Sequence, residues 1–399
     1  MNKVPNLRFS EFSGEWEHKY LNEIVERITR KNKGLISKLP LTISAQYGLV
    51  DQETFFNKTV ASKNLEGYYL LKNGEFAYNK SYSNGYPWGA IKRLDKYECG
   101  VLSSLYICFK PYSGMHSDFL TNYFETTKWH KEVSMIAVEG ARNHGLLNIA
   151  VNDFFETLHY VPNIEEQEKI GSFLSLIDKK IELQTEKVED LKNYKKGIMQ
   201  KIFSQELRFK DENGNDYPSW TKCKIYDCFV ERSEKGFEDL ELLSVSMERG
   251  VIKRSEIESK DNSSENKSNY KLVKKGDIVY NSMRMWQGAS GLSEYEGIVS
   301  PAYTVLTPKK DIYSNYFSYL FKMHTMIHEF RKYSQGLTSD TWNLKYPQIK
   351  DIKVNVPSYE EQVKISQFFM KLDIKIEKEQ DNLKCLIEYK KGLLQQMFI

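Results

Sequence analysis

The sequence predicts an α/β (α+β) chain in which two mixed α/β domains alternate with two long antiparallel coiled-coil helices, as an internal pseudo-twofold repeat. Three observations predict it. A segment of about 44 residues occurs twice without a gap, a heptad of apolar residues runs through both copies, and looser correspondences precede each copy.

Residues 1–160 form the first globular domain. Strands are expected at Leu39–Ile43, Glu75–Tyr78 and Val101–Phe109, where β-branched and aromatic residues run between Gly, Pro and Asn breakers, and a helix at Ser117–Val133. Residues 161–204 follow as a helix. It opens just after Val161-Pro162, a pair that cannot lie in a helix interior, and its seam is Ile170, Leu174, Ile177, Ile181, Gln184, Val188, Leu191, Lys195, Ile198 and Ile202. Residues 205–355 form the second globular domain, with strands at Asp277–Tyr280 and Ala302–Leu306, a helix at Asn315–Lys332 and an exposed polar loop at Glu258–Asn269. Residues 356–399 repeat the helix, with the seam Ile365, Phe369, Leu372, Ile376, Glu379, Leu383, Leu386, Lys390, Leu393 and Met397.

Val161-Pro162-Asn163-Ile164-Glu165-Glu166-Gln167 returns as Val356-Pro357-Ser358-Tyr359-Glu360-Glu361-Gln362, and about 19 of roughly 44 aligned positions are identical. Both seams are interrupted at the same two places, Gln184/Glu379 and Lys195/Lys390, and polar seam residues fix register and partner. About 39 helical residues span roughly 58 Å, so each rod needs a partner, and the other copy is the simplest one. Antiparallel packing is expected because it places the globular domains at opposite ends; the heptad alone does not set orientation. Ahead of the helices, Leu7-Arg8-Phe9 is echoed by Leu207-Arg208-Phe209, Trp16 by Trp220, and Gly74–Asn79 by Gly276–Asn281. One scaffold is used twice, with two different faces.

Of 399 residues, 57 are Lys or Arg and 54 are Asp or Glu, a net charge of +3, which excludes a histone-like polycation. The excess is about +4 in residues 1–150 and about +1 in 205–355, with the helices balanced. The polar start and the lack of an apolar run of roughly 20 residues predict a cytoplasmic chain outside the membrane. Five scattered cysteines predict reduced thiols. No Gly-rich phosphate loop, dinucleotide fingerprint or Asn-Pro-Pro-Tyr-like segment occurs, so no catalytic residue and no resident cofactor is assigned. His324 and His328 lack an intervening Glu and a third ligand, which leaves no metal site. Glu165-Glu166 and Glu360-Glu361 sit in a first helical turn, where negative charge complements the macrodipole.

Polar and aromatic residues cluster with turn formers at matched places. The first half offers Lys80, Tyr82, Asn84 and Trp88, then Arg142, Asn143 and His144; the second offers Asn281, Arg284, Trp286 and Gln287, then Thr338, Ser339 and Trp342. Arg, Asn and Gln match base edges in the major groove, while Lys, Ser and Thr suit phosphates. These are the candidate DNA-binding residues.

The repeated Val-Pro, Glu-Glu-Gln, Ile-Glu and Tyr-Lys-Lys-Gly motifs, each copy preceded by an α/β domain, resemble the specificity subunit of type I restriction-modification systems over nearly the whole chain. The resemblance implies two target recognition domains that each read half of a split double-stranded DNA sequence, and helices that set the gap. It implies two modification subunits that carry S-adenosylmethionine and methylate adenine, and restriction subunits that use ATP and Mg2+. This chain would be the non-catalytic member. A coiled-coil adaptor without DNA readout explains the heptads but not the divergent basic and aromatic loops; salt-sensitive retention on DNA separates the two.

Overall fold

The computed structural model describes residues 3–58, 61–62, 64–83, 85–137, 147–247, 249–258 and 263–399. They form two compact units, Met1–Glu186 with Asp381–Ile399, and Lys187–Gln380. In the first unit an antiparallel sheet takes the order Val25–Ile28, Ile107–Pro111, Phe76–Asn79, Ala90–Arg93. Alternation along the strands splits their side chains between two cores. Phe76, Tyr78 and Phe109 meet Phe119, Phe124, Trp129 and Val133 from the helices Ser117–Phe124 and His130–Ile136. Ala77 and Cys108 face the other way, against Leu41, Leu49, Leu71 and Leu102 from the strand pairs Leu41–Ser44 with Gly48–Asp51 and Tyr69–Lys72 with Cys99–Leu102.

The second unit repeats this topology pair for pair. Its sheet runs Phe229–Arg232, Tyr303–Pro308, Ile278–Asn281, Ser290–Leu292. Ile278, Tyr280 and Leu306 face the helices Ser314–Leu320 and His324–Tyr333, while Val279 and Val305 face the hairpin Leu243–Ser246 with Gly250–Lys253 and the pair Lys271–Val273 with Gly297–Val299. A two-stranded ribbon closes each unit beside its long helix, Glu17–Tyr20 with Leu158–Val161 and Thr221–Lys224 with Lys353–Val356.

Three expected elements are broken. Val101–Phe109 is two strands, because Ser103 to Tyr106 turns, the Tyr106 N–H donating to Ser103 O at 3.1 Å. Each expected domain helix is two helices. In the first unit the Thr126 hydroxyl donates to the Tyr123 carbonyl at 2.7 Å just past the break. In the second, Phe321 and Met323 are both buried, and residues two apart cannot share one helix face.

Each long helix stands on the same foot. The helix Ile164–Phe203 buries Glu166, whose carboxylate takes two bonds from the Arg8 guanidinium, 2.8 and 2.7 Å. The helix Tyr359–Met397 buries Glu361, bonded by Arg208 at 3.2 and 2.7 Å and by Trp220 Nε1 at 3.0 Å. These pairs hold both guanidinium groups above their ordinary pKa. Glu165 is exposed and fits the dipole explanation alone; its neighbour anchors the domain. The next residue completes the foot: Gln167 Oε1 accepts from His116 N and Gln362 Oε1 from Tyr313 N, both at 2.9 Å, at the start of the following domain helix.

Every seam residue of both heptads is buried or half-buried. In the first unit Ile170 and Leu174 share a core with Leu393 and Met397, and Lys390 pairs with Asp178 at 2.5 Å. In the second, Ile202 packs with Ile365 and Phe369, Lys195 pairs with Asp373, and Lys187 with Glu379 at 2.7 Å. Ascending numbers meet descending ones in both, so the helical segments run antiparallel.

Candidate nucleic-acid interface

In the second unit the two candidate loops are built together. Strand Ile278–Asn281 ends in a side-chain turn, Asn281 Oδ1 accepting from Met283 N at 3.0 Å. A single turn of 3-10 helix, Met285–Gln287, follows and is stopped by Gly288 at φ +84°. Met285 is buried as its anchor, which leaves Arg284 half-exposed and Gln287 exposed. The second loop is closed by reciprocal backbone bonds between Gln335 and Asn343, 3.0 and 2.8 Å. Within it, Thr338 caps the turn Ser339–Thr341, and both Thr338 and Ser339 are exposed.

Two contacts join these loops. The Leu344 N–H donates to Ser282 O at 2.8 Å, and Trp286 meets Trp342 edge-on with ring centroids 5.2 Å apart; the Arg331 guanidinium, from the helix His324–Tyr333, lies 5.3 Å from the Trp342 ring. The structure thus brings together all seven candidates of this half: Asn281, Arg284, Trp286, Gln287, Thr338, Ser339 and Trp342. Asn281 is spent on shaping its loop. The Arg284 guanidinium makes one long contact, 3.5 Å to Met283 O, and Gln287 faces outward.

The first unit uses the same tether. The Leu147 N–H donates to Lys80 O at 2.8 Å, and Lys80 Nζ donates to Ile149 O at 3.1 Å. Burial lowers the Lys80 pKa. Its ammonium holds the loop. Trp88 packs half-buried on the core, its carbonyl accepting from Tyr78 OH at 2.7 Å. Gly89 beside it, at φ +79°, has no room for a side chain, since a Cβ would fall 2.1 Å from Asn79 O. Tyr82 is 60% exposed above a cleft of about 370 Å³ that Gln46, Phe55 and Tyr86 also line. Asn84, Arg142, Asn143 and His144 lie outside the described residues.

Exposed residues next to these loops escaped the sequence reading. The hairpin Leu243–Ser246 with Gly250–Lys253 carries Met247 and Arg249 at its tip, and its counterpart in the first unit carries Gln46 and Tyr47. A signal was present. Tyr47-Gly48 and Arg249-Gly250 occupy matched places, and both glycines take positive φ, +77° and +68°. Among the described residues no helix is long and apolar enough to cross a membrane, and no three His, Cys, Asp or Glu are grouped to hold a metal.

Residues 201–388 match the family described as the type I restriction modification DNA specificity domain. No curated protein sequence matches the chain. Among solved structures the chain is similar to the type I restriction-modification system S subunit from M. genitalium, at TM-score 0.56 and 15% identity, covering 99% of each chain. It is also similar to a chain from a study of complex assembly and conformational transition of the type I restriction-modification system, at TM-score 0.56 and 14% identity, covering 96% of this chain and 97% of that one. At such identities the likeness is one of fold. The second half of the chain thus matches the type I restriction modification DNA specificity domain, and that domain's strand order, buried Arg-Glu foot and long helix all recur in the first half.

Proposed function

We propose that this chain is the non-catalytic subunit that gives a type I restriction-modification complex its DNA sequence, each recognition domain reading one half of a bipartite target. The observation that carries this is the pair of clamped loops in the second unit. They present Arg284, Gln287, Thr338 and Ser339 on a scaffold whose first copy carries different residues at the same places. A shared frame with divergent polar loops is what two half-sites of unlike sequence require.

Arg284 and Gln287 have the geometry to read guanine and adenine edges, Thr338 and Ser339 suit phosphates, and Tyr82, with Asn84, Arg142, Asn143 and His144, would serve the other half-site. Lys80 and Trp88 shape the first interface. The long helices would fix the gap between half-sites and dock two modification subunits, which bring S-adenosylmethionine and methylate adenine in the cytoplasm; restriction subunits would bring ATP and Mg2+.

The test is binding of the assembled chain and modification subunits to target DNA and to single-base variants. Arg284→Ala is expected to cost about 1–3 kcal/mol and to relax selectivity at one base pair of one half-site. A loss of equal size on every sequence would make Arg284 a phosphate contact. Failure of the assembled complex to bind DNA in a salt-dependent way would favour a coiled-coil adaptor instead.

A further inference from the structure

Beneath the loop that carries Arg284 lies a cleft of about 420 Å³, formed wholly within the second unit. Lys322 enters it from the end of the helix Ser314–Leu320. Its ammonium donates to Gly288 O at 2.6 Å and Met247 O at 2.9 Å, so it ties the foot of the recognition loop to the hairpin tip. Two of three N–H donors are used, and among the described residues no carboxylate pairs with it. Burial pushes its pKa down to about 8, the response of a cation removed from water without a counter-charge.

The other groups lining the cleft add to the imbalance. Lys195 and Asp373 neutralise one another, Asp373 also accepting from Tyr319 OH at 2.8 Å. Arg249, paired with Glu256 at 2.6 Å, stands at the exposed edge. Ser290, 1% exposed, also lines the cleft, and its Oγ has no hydrogen-bond partner among the described residues. A buried hydroxyl left unpaired costs free energy unless a ligand or water takes it.

In the first unit the charges at the matched positions pair with one another, beside a cleft of about 380 Å³ lined by Arg93, Thr121, Asn122 and Asp178. Glu125 follows buried Phe124 there, as Lys322 follows buried Phe321. Lys92 stands opposite Ala77 in the sheet, where Gly291 stands opposite Val279. Lys92 and Glu125 pair at 2.5 Å. In the second unit the carboxylate has become an ammonium and the lysine a glycine. No side chain can fill that gap, because a Cβ on Gly291 would fall 2.6 Å from Gly250 Cα.

We propose that this cleft is a phosphate-accepting site, with Lys322 as its buried cation, the Ser290 hydroxyl as a donor and Arg249 at its mouth. Its position under Gly288 makes a DNA backbone phosphodiester the first source, a claim that rests on the DNA-reading role; a free phosphate shares the chemistry.

Lys322→Met, which keeps the length and removes the charge, tests this in the full chain assembled with its modification subunits, with thermal melting as the check on folding. Loss of one phosphate contact is expected to reduce the magnitude of the slope of log affinity against log salt by about 0.9. Calorimetric titration with inorganic phosphate forms the second arm. An unchanged slope together with phosphate binding that Lys322→Met abolishes would assign the site to a free phosphate. If the melt shows that Lys322→Met unfolds, Ser290→Ala in the same two assays is expected to weaken the affected ligand about tenfold, by removing a bond to a charged group. No change in either assay with the folded variants overturns the proposal. A wild-type complex that binds inorganic phosphate through Lys322 but not DNA would overturn the DNA-reading role and leave the site standing.

Discussion

Arg8 and Arg208 show how far a single residue's role depends on contacts that sequence order hides. Their partners Glu166 and Glu361 lie 158 and 153 positions away, so Leu-Arg-Phe was legible as an echo while its purpose was not. The motif Glu-Glu-Gln divides into an exposed acid, a buried acid that holds an arginine, and a glutamine that accepts from the start of a domain helix earlier in the chain. Arg208→Met is expected to destabilise the second unit by about 3–5 kcal/mol, since Glu361 would remain as an unpaired buried charge. Urea unfolding followed by Trp220 fluorescence measures it, and a loss below about 1 kcal/mol, the range of an exposed pair, would contradict the assignment. Lys80 and Trp88 teach the converse: residue types suited to DNA were legible, but their use as a strut and a core contact depends on Ile149 and Tyr78, which only the fold supplies.

At the scale of elements, the heptads were fully legible because a helix repeats its face every 3.6 residues whatever surrounds it. Orientation was not, because it depends on which charges meet. The seam breaks Lys195 and Lys390 find Asp373 and Asp178 as their partners, a pairing that only the packed helices supply. Lys195→Asp should therefore cost about 1–3 kcal/mol by facing two carboxylates, and adding Asp373→Lys should recover most of it. Thermal unfolding of the two single variants and the double variant completes the cycle; no recovery would mean that the pair does not set the packing. The domain helices were over-extended in the sequence reading because their apolar density continues through the breaks at Thr126 and Lys322. Burial of both Phe321 and Met323 in one core, which residues two apart on a helix cannot share, decides the matter there.

The whole molecule is one topology used twice. Two four-stranded sheets share one strand order, and each is flanked by the same ribbons and helices. That duplication was legible in the spacing of Gly-Glu-Phe and Gly-Asp-Ile ahead of the helices. The copies differ where the proposed function needs them to: Lys92 pairs with Glu125, whereas Lys322 has no carboxylate partner among the described residues, and Trp286 and Trp342 clamp a pair of loops in the second copy. A net charge of only +3 is compatible with DNA binding when the cations that matter are few and placed. The central claim is that two domains each specify half of one DNA target. Its most direct measurement is a genome-wide map of methylated adenine in cells that carry the chain with its proposed modification subunits, before and after residues 205–355 are exchanged for the corresponding domain of a type I specificity subunit. The expected map is a bipartite sequence of which the exchange alters one half and leaves the other intact. An uninterrupted sequence, or a change in both halves, would contradict the account.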